Sequence, residues 1–289
     1  MDKAATFERL EKIHNLPTLP QVITRLSAAV KDPNSDARRV AKIIEDDPSM
    51  MARILKVVNS AFYGAAEPVH SVQDAVARMG FVAVNNIALS TSVFAVFGKK
   101  GQTDFNREEF WRHSISVGIA ANVLYARARK NLSGRYQKDL LHLCGLLHDI
   151  GKIVLEQFMH EEFIASLQAG QSRNIPLFQA ELEVMGLDHT EIGDWLAKKW
   201  NLSDAVAAAT RWHHEPTKGP KEVMDLLNIV HISNYICNLE KLGNGGDCTA
   251  PTFLHAVWKQ LGLAVQDIAD IVDEVKEESK HSEILLAFL

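Results

Sequence analysis

The sequence predicts an all-α protein, and two observations carry this prediction. Apolar residues recur three and four positions apart throughout the 289-residue chain, as Ile23, Leu26 and Val30 do, while the alternation typical of strands is absent. Residues that favour helix starts stand in front of many of these apolar segments, for example Asp47 before Pro48. With 47% hydrophobic and 23% charged residues, the composition is that of a globular protein that can build a full core.

The first hundred residues are expected to form a bundle of about five or six helices. A lead helix at 7–15 is ended by Leu16-Pro17-Thr18-Leu19-Pro20, since each proline biases the preceding residue away from helix. The helix starts that follow are predicted at Val22, after a cap at Ser35, at Asp47-Pro48, and at Ser71 with Asp74 as its capping-box partner. Gly80 then allows a bend into an uncharged helix at 81–97.

The best candidate for a domain boundary is the segment from Gly98 to Asp104, which is short, polar and contains two glycines. We therefore expect a first helical domain at 1–100, packed on a second helical domain at 105–289. The helices expected in the second domain run from Asn106 (capping box with Glu109) to about Lys130, up to Leu147, over 151–169 and 176–185, from Asp188 (with Glu191) to Trp200, from Ser203 to His214, over 222–241, and near 251–261 and 265–288.

Charge and cysteine content exclude several classes of protein. The net charge is −5 and no long Lys/Arg run occurs, so binding to a nucleic-acid backbone is not expected. The three cysteines form no C-x-x-C pair, which indicates a reducing compartment, and the charged N-terminus is not a secretory signal. The uncharged stretch Met79 to Gly98 has five Asn, Ser and Thr residues in its middle, so it predicts a buried helix rather than a membrane span. We expect a cytoplasmic protein without membrane contact.

The stretch Leu146-Leu147-His148-Asp149-Ile150-Gly151-Lys152 is the first candidate for chemistry. An apolar helix carries its last residues into the interior, where an adjacent imidazole and carboxylate are costly unless a partner such as a metal cation satisfies them. The alternative is an ordinary helix C-terminus with Gly151 as its cap and Lys152 near the negative end of the helix dipole.

Five of the twelve histidines stand at helix ends or first turns, where several ligands can converge while their helices stay packed elsewhere. Each could also be a satisfied polar residue. Because adjacent residues on a helix diverge by about 100°, the two neighbouring histidines would serve different ions or roles. The five candidates are His113, His148, His189, His213 and His214; the others (His14, His70, His142, His160, His231, His255 and His281) have no comparable placement.

Asn234 is the last candidate. On the helix at 222–241 it shares a face with Leu227 and Val230, so it should point inward, with His231 and Asn228 among the residues on a wetter side. Its carbonyl oxygen could be a weak neutral metal ligand or could complete a hydrogen bond between helices.

These residues resemble a known family. His113, then His148-Asp149, then Asn234 where an aspartate is expected, is similar to the H…HD…D signature of HD-superfamily metal-dependent phosphohydrolases, and His189 with His213-His214 is similar to the extended set of the HD-GYP branch. The N-terminal half resembles the HDOD domain, in Leu16-Pro17-x-Leu19-Pro20, Asp47-Pro48, Val58-Asn59-Ser60-Ala61-Phe62-Tyr63 and Ala75-Val76-x-x-Met79-Gly80.

The HDOD resemblance implies a signalling and regulatory module related to HD hydrolases, acting through a protein partner or a nucleotide ligand. Its metal site would be partly degenerate, because Asn234 removes one negative charge, and would hold one or two divalent ions of iron, nickel, zinc or manganese. The alternative is a metal-dependent phosphohydrolase acting on a nucleotide or phosphate ester. In that case Asp149 would hold the metals and Lys152, unless it is a surface lysine, would hold a substrate phosphate. The segment after Glu215, Pro216-Thr217-Lys218-Gly219-Pro220, lacks the GYP loop, so hydrolysis of cyclic di-GMP is not implied.

Overall fold

All regular secondary structure is helical in the part of the chain that the computed structural model describes, which is residues 3–12, 18–60, 67–97 and 105–280. The all-α prediction is therefore confirmed. In chain order the α-helices are α1 (Lys3–Glu11), α2 (Gln21–Lys31), α3 (Ala37–Glu45), α4 (Pro48–Val58), α5 (Val72–Met79), α6 (Phe81–Phe97), α7 (Arg107–Ala128), α8 (Lys138–Leu147), α9 (Ile150–Phe158), α10 (His160–Arg173), α11 (Leu177–Met185), α12 (His189–Lys199), α13 (Asp204–Trp212), α14 (Met224–Leu239), α15 (His255–Gln260) and α16 (Asp267–Lys280). Two short 3₁₀ helices, Pro216–Lys218 and Lys221–Val223, lie between α13 and α14.

The contacts divide the chain into two compact units. One unit is Pro17–Lys100 with Glu278–Leu289, and the other is Met1–Leu16 with Gly101–Glu277. The predicted boundary at 98–104, the Ala61-Phe62-Tyr63 part of the HDOD-like motif and the end of the helix expected at 265–288 lie outside the described residues.

In the unit that begins at Pro17, α6 packs against α2, α4 and α5. Most of its residues are buried, which explains why the sequence places no charge in this helix. The cap of α3 is Asp36, whose side chain accepts a hydrogen bond from the Arg39 backbone, and not Ser35 as predicted from the sequence. The starts at Asp47-Pro48 and at Ser71 are confirmed, since both side chains accept a backbone N–H of the first turn.

In the other unit, α7 packs against α8 and α14, and α12 packs against α9 and α13. Glycines allow the first of these contacts to be close, because a Cβ on Gly145 of α8 would collide with the backbone of Gly118 on α7. The lead helix α1 joins this unit as Thr6 donates a hydrogen bond of 2.8 Å to the carbonyl of Met185.

The chain after Leu147 departs from the sequence prediction. The helix expected at 151–169 is two helices, α9 and α10, which meet at Met159, where the backbone leaves the helical region at φ −136° and ψ 47°. Gly151 does not cap α8. It lies in the first turn of α9, where a side chain would collide with the carbonyl oxygen of His189, so its role is to let α9 approach the start of α12.

Within the described residues, the helices are too short or too polar to cross a bilayer.

Candidate metal centre

Asp149 lies at the centre of a buried cluster of histidines. It follows α8 directly and precedes α9, and its side chain caps neither helix, so both carboxylate oxygens are available to other groups. Its Oδ1 lies 3.2 Å from Nε2 of His189 and 3.3 Å from Nε2 of His213. Its Oδ2 lies 3.1 Å from Nε2 of His148 and 2.8 Å from Nζ of Lys152. The aspartate thus faces two sets of partners, one on each oxygen.

Helix ends deliver most of this cluster, as the sequence suggested. His148 follows the last residue of α8, His189 is the first residue of α12, and His213 follows α13, while His113 lies on α7. The donor atoms fall into two groups within 4.8 Å of one another, which share Asp149: one is Asp149 with His189, His213 and His214, and the other is Asp149 with His113 and His148. Asn234 on α14 contacts the second group, so all seven residues predicted as metal ligands come together.

Backbone and carboxylate acceptors orient three of the imidazoles. Nδ1 of His148 donates to the Gly145 carbonyl at 2.7 Å. Nδ1 of His213 donates to the carbonyls one turn earlier at 3.1 Å. Nδ1 of His189 donates to Oε2 of Glu181 at 2.6 Å. Because each Nδ1 donates to a fixed acceptor, the three rings direct Nε2 toward Asp149.

Burial and charge shape the protonation of these groups. Burial lowers the pKa of His213 to about 4, so this ring is neutral at neutral pH. Burial also opposes charge on His189, but the Glu181 carboxylate outweighs it and raises the pKa of His189 to about 10. For Asp149, burial favours the neutral acid, yet the nearby His148 ring and the Lys152 ammonium hold its pKa well below the usual range. Asp149 is therefore a carboxylate, and its Oδ1 has no hydrogen-bond partner.

The cluster contains buried polar atoms without hydrogen-bond partners. In the described part of the chain they include Nε2 of His148, Nε2 of His213 and Oδ1 of Asp149, all in fully buried residues, as well as Nδ1 of His113 and Nδ2 of Asn234. Lone pairs that face one another in a dry interior are costly, and a cation between them satisfies all of them. Imidazole nitrogens with a carboxylate oxygen are a donor set for divalent transition metals, so these residues fit such an ion.

Lys152 is not a surface residue. Its side chain is fully buried, and its ammonium donates to Oδ2 of Asp149 at 2.8 Å and to Oδ2 of Asp247 at 2.6 Å. Burial opposes its charge, but the two carboxylates outweigh this and raise the pKa of Lys152. The ammonium is thus a permanent cation beside Asp149.

Asn234 has an inward position, as predicted, and accepts two hydrogen bonds on Oδ1. His113 Nε2 donates at 3.0 Å and Asn238 Nδ2 donates at 2.6 Å. The expectation that Asn228 and His231 lie on a wetter side is wrong, since each is 1% exposed. The reason is that α14 is surrounded by α7, α8 and α13, so a single buried face does not describe it.

The two adjacent histidines do not diverge as expected. The angle of about 100° applies within a helix, but α13 ends at Trp212, before His213 and His214. Their ring centroids are 4.1 Å apart, and Nε2 of His214 lies 3.1 Å from Nε2 of His189. Both rings therefore belong to one donor group.

Three residues of the site escaped the sequence prediction, and each acts through another residue. Glu181 orients His189, Asp247 holds Lys152, and His231 donates from Nδ1 to the His213 carbonyl at 2.7 Å. They are far from their partners along the chain, apart from Glu181, which precedes His189 by eight positions. A glutamate in a largely apolar helical stretch, Leu177-Phe178-Gln179-Ala180-Glu181, was the available signal.

A glycine-rich segment, 243–247, covers the cluster. A Cβ on Gly245 would lie 3.0 Å from Cδ2 of His113 and 3.3 Å from Oδ2 of Asp149, which leaves little space between the segment and these two side chains. The Asn244 backbone N–H donates to the Glu109 carbonyl at 2.9 Å, and Asp247 ties the end of the segment to Lys152. Of the five candidate histidines, His214 alone is partly exposed.

Comparison with known proteins relates the chain to one family. The HDOD domain model matches residues 16–216. A curated protein of Treponema pallidum, "Uncharacterized protein", is 28% identical over 224 residues, which are 78% of this chain and 42% of that protein, so the chain spans less than half of this relative.

Solved structures show the same fold. An HDOD domain protein of unknown function from Geobacter sulfurreducens has a TM-score of 0.77 and 26% identity, with 99% of this chain and 96% of that chain covered. A candidate signal transduction protein from Marinobacter aquaeolei VT8 has a TM-score of 0.75 and 24% identity, covering 99% and 66%. A candidate phosphohydrolase from Shewanella amazonensis SB2B has a TM-score of 0.72 and 22% identity, covering 97% of each chain. The chain belongs to the HDOD domain family.

Proposed function

We propose that this protein is a regulatory, signal-transduction module whose buried histidine–aspartate cluster binds a divalent transition metal. It acts by binding a protein partner or a nucleotide, and the metal stabilises the folded state that binds this partner or nucleotide. The observation that carries the proposal is the closure of the cluster: its donors converge on one point, while Asp149, Lys152 and four of the five histidines are fully buried.

The donor set supports the metal part of the proposal. The donors available to an ion are Asp149 with His189, His213 and His214 on one side, and Asp149 with His113 and His148 on the other, where Asn234 contacts His113. When bound, such an ion would neutralise the Asp149 carboxylate and the Nε2 lone pairs that have no partner. Iron, nickel, zinc and manganese remain the candidate metals, with imidazole ligands favouring the first three.

The closure supports regulation over hydrolysis. Catalytic metal sites keep a coordination position open to water and substrate, whereas structural sites are closed by protein ligands. Here Gly245 leaves little space next to His113 and Asp149. Lys152, which could otherwise hold a substrate phosphate, already contacts two carboxylates. Asn234 in place of an aspartate further reduces the negative charge that a second metal needs.

A metal-dependent phosphohydrolase is the second candidate, and one observation favours it: six of the seven predicted ligands are the residue types that hydrolases of this superfamily use, and they converge on Asp149. In that case the segment 243–247 would have to move away from Asp149 to admit a phosphate ester. The chain's own residues would then position the ester, with Lys152 exchanging one carboxylate for a phosphate oxygen.

One experiment separates the two candidates. We would measure the metal content of freshly purified wild-type protein and of Asp149→Ala, together with hydrolysis of a panel of nucleotides and phosphate esters. The regulatory proposal expects a bound metal that the variant loses, and hydrolysis no faster in the wild type than in the variant. Metal-dependent turnover that Asp149→Ala abolishes would instead establish the enzyme, and absence of metal from both proteins would contradict both candidates.

Partner and compartment are part of the same proposal. We expect nucleotide binding, if it is the input, to give a saturable calorimetric signal with the full chain in the absence of turnover. Unpaired thiols at Cys144, Cys237 and Cys248 support a reducing, cytosolic compartment. We retain two functional domains, 1–100 and 105–289, as a proposal.

A further inference from the structure

The two oxygens of Asp149 have different surroundings, and this difference bears on how many metal ions the cluster holds. On the Oδ1 side the neighbours are imidazole nitrogens, Nε2 of His189 at 3.2 Å and Nε2 of His213 at 3.3 Å. On the Oδ2 side the Lys152 ammonium lies at 2.8 Å. One side of the aspartate thus faces nitrogens that can bind a metal, and the other faces a lysine ammonium that cannot.

We propose that the cluster holds one divalent ion, bound by Asp149 Oδ1, His189, His213 and His214, and that the Lys152 ammonium takes the place of a second ion at Oδ2. This inference rests on the metal binding proposed above and specifies its site and its stoichiometry. The residues His113, His148 and Asn234, which carry the H…HD…D resemblance, then border the ion site without forming it.

Three distances within the first donor group are close to those expected between ligands of a tetrahedral ion. Ligands at about 2.0–2.1 Å from a tetrahedral zinc-type ion lie roughly 3.3–3.4 Å from one another. The two Asp149 Oδ1 distances are 3.2 and 3.3 Å, and Nε2 of His189 lies 3.1 Å from Nε2 of His214. Three imidazoles and one carboxylate oxygen complete a four-ligand set, which is the closed arrangement of structural metal sites.

The second donor group is partly engaged. Asn234 Oδ1 accepts a hydrogen bond from His113 Nε2, so that nitrogen can bind an ion only after losing its proton. Asn238 donates to the same Oδ1 at 2.6 Å and so holds it in this orientation. Asp149 Oδ2 accepts from the ammonium, and of this group's nitrogens His148 Nε2 is the one oriented toward Asp149 with its lone pair open.

The buried charges also favour a single divalent ion. Because an imidazole must give up a ring proton to bind a metal, the imidazoles of the metal-binding state are neutral, and the three carboxylates of Asp149, Glu181 and Asp247 with the one ammonium of Lys152 then carry a net charge of −2. One divalent ion brings this charge to zero, whereas two would leave +2 in a site shielded from water. An aspartate at position 234 and a neutral residue at 152 would together change the charge of these protein groups from −2 to −4, which two divalent ions would neutralise.

The test is a titration of chelator-treated protein with Zn²⁺ by calorimetry, with metal analysis after dialysis. Wild type is expected to bind one Zn²⁺ per chain. His214→Ala, which alters the partly exposed ligand, is expected to weaken binding at least about 100-fold. The matched variant His113→Ala, in the other donor group, is expected to stay within about threefold of wild type. The variants His214→Gln and His113→Gln make the same comparison but leave smaller cavities than the alanine variants. Circular dichroism checks that each variant is folded.

The gain-of-site variant is Lys152→Met combined with Asn234→Asp, which is expected to bind two Zn²⁺ per chain. Two ions in the wild type, or loss of Zn²⁺ in the His113 variants with retention in the His214 variants, would overturn the single-ion assignment while leaving the proposed metal-bearing module intact. A wild-type protein that binds no Zn²⁺, iron, nickel or manganese would overturn the proposed function itself.

Discussion

At the scale of the residue, Glu181 influences the site strongly, although it was not among the residues predicted from the sequence. Its Oε2 accepts from both the backbone N–H of His189, at 2.8 Å, and the ring Nδ1, at 2.6 Å. A carboxylate behind a histidine fixes the ring orientation and increases the electron density on the opposite nitrogen. Glu181 is therefore a positioning residue for the donor at the start of α12.

Replacement of Glu181 should weaken metal binding without removing a ligand. For Glu181→Gln we expect a 10- to 100-fold lower affinity for Zn²⁺, because the amide orients the imidazole with a weaker, uncharged acceptor. The measurement is calorimetric titration of chelator-treated protein. Glu183→Gln is the control, since this glutamate lies on the same helix but is exposed and pairs with Arg173. Equal affinities for the two variants would contradict the role of Glu181.

At the scale of the element, the close approach of α9 and α12 brings His189 within reach of Asp149. Gly151 makes this approach possible, since any side chain there would collide with the His189 carbonyl. From the sequence alone, a glycine two positions after a His-Asp pair at a helix end is interpreted as the cap of that helix. Only the packing of the two helices shows that the missing Cβ matters for a neighbour rather than for the glycine's own backbone.

The helix contact predicts a large difference between two glycine substitutions. Gly151→Ala should lower the free energy of unfolding by about 1–3 kcal/mol or more, because the added methyl group forces α9 and α12 apart. Gly170→Ala should change it by less than about 1 kcal/mol, since its Cβ would lie 3.4 Å from the nearest heavy atom and alanine favours helix. Urea unfolding of both variants measures this, and similar stabilities would contradict the tight contact.

The glycine-rich segment 243–247 is the second element on which the site depends. Asp247 binds it to Lys152, and a charged hydrogen bond of this kind contributes about 1.5–3 kcal/mol. For Asp247→Asn we expect amide exchange in the segment, and at the Asn244 N–H in particular, to rise roughly 10- to 100-fold. Hydrogen exchange followed by mass spectrometry measures it. Asp225→Asn is the control, because Asp225 accepts from Ser133 and Gly134 and has no contact with the segment.

At the scale of the whole molecule, metal binding should stabilise one of the two compact units. All cluster residues lie between His113 and Asp247, within the unit that contains Gly101–Glu277. An ion that binds the folded state adds about 2.7 kcal/mol at a concentration 100 times its dissociation constant. We expect chelation to accelerate amide exchange in α8, α9, α12 and α13 and to leave α2 to α6 unchanged, which exchange measurements with and without Zn²⁺ would check. A uniform change across both units would contradict this.

Much of the fold was predictable from sequence because helices are local structures. Period and capping residues determine them within a few positions, as at Asp47-Pro48, Ser71 and Asn106. The errors came where packing decides: the break at Met159, the cap at Asp36 and the burial of α14 on all sides. The seven candidate ligands were predictable for a different reason. They resemble the motif of a known family, and the fold of that family brings the motif residues together.

By itself, the sequence determined the all-α class and the absence of a charge at Asn234, because these are properties of residue types and short spacings. Only the tertiary structure decided which atoms face one another. It buried Lys152 between Asp149 and Asp247, paired Glu181 with His189, and placed Gly245 over His113. The physical reason is that donor geometry, local charge and access to solvent depend on contacts between helices distant in the chain, and no local pattern records those contacts.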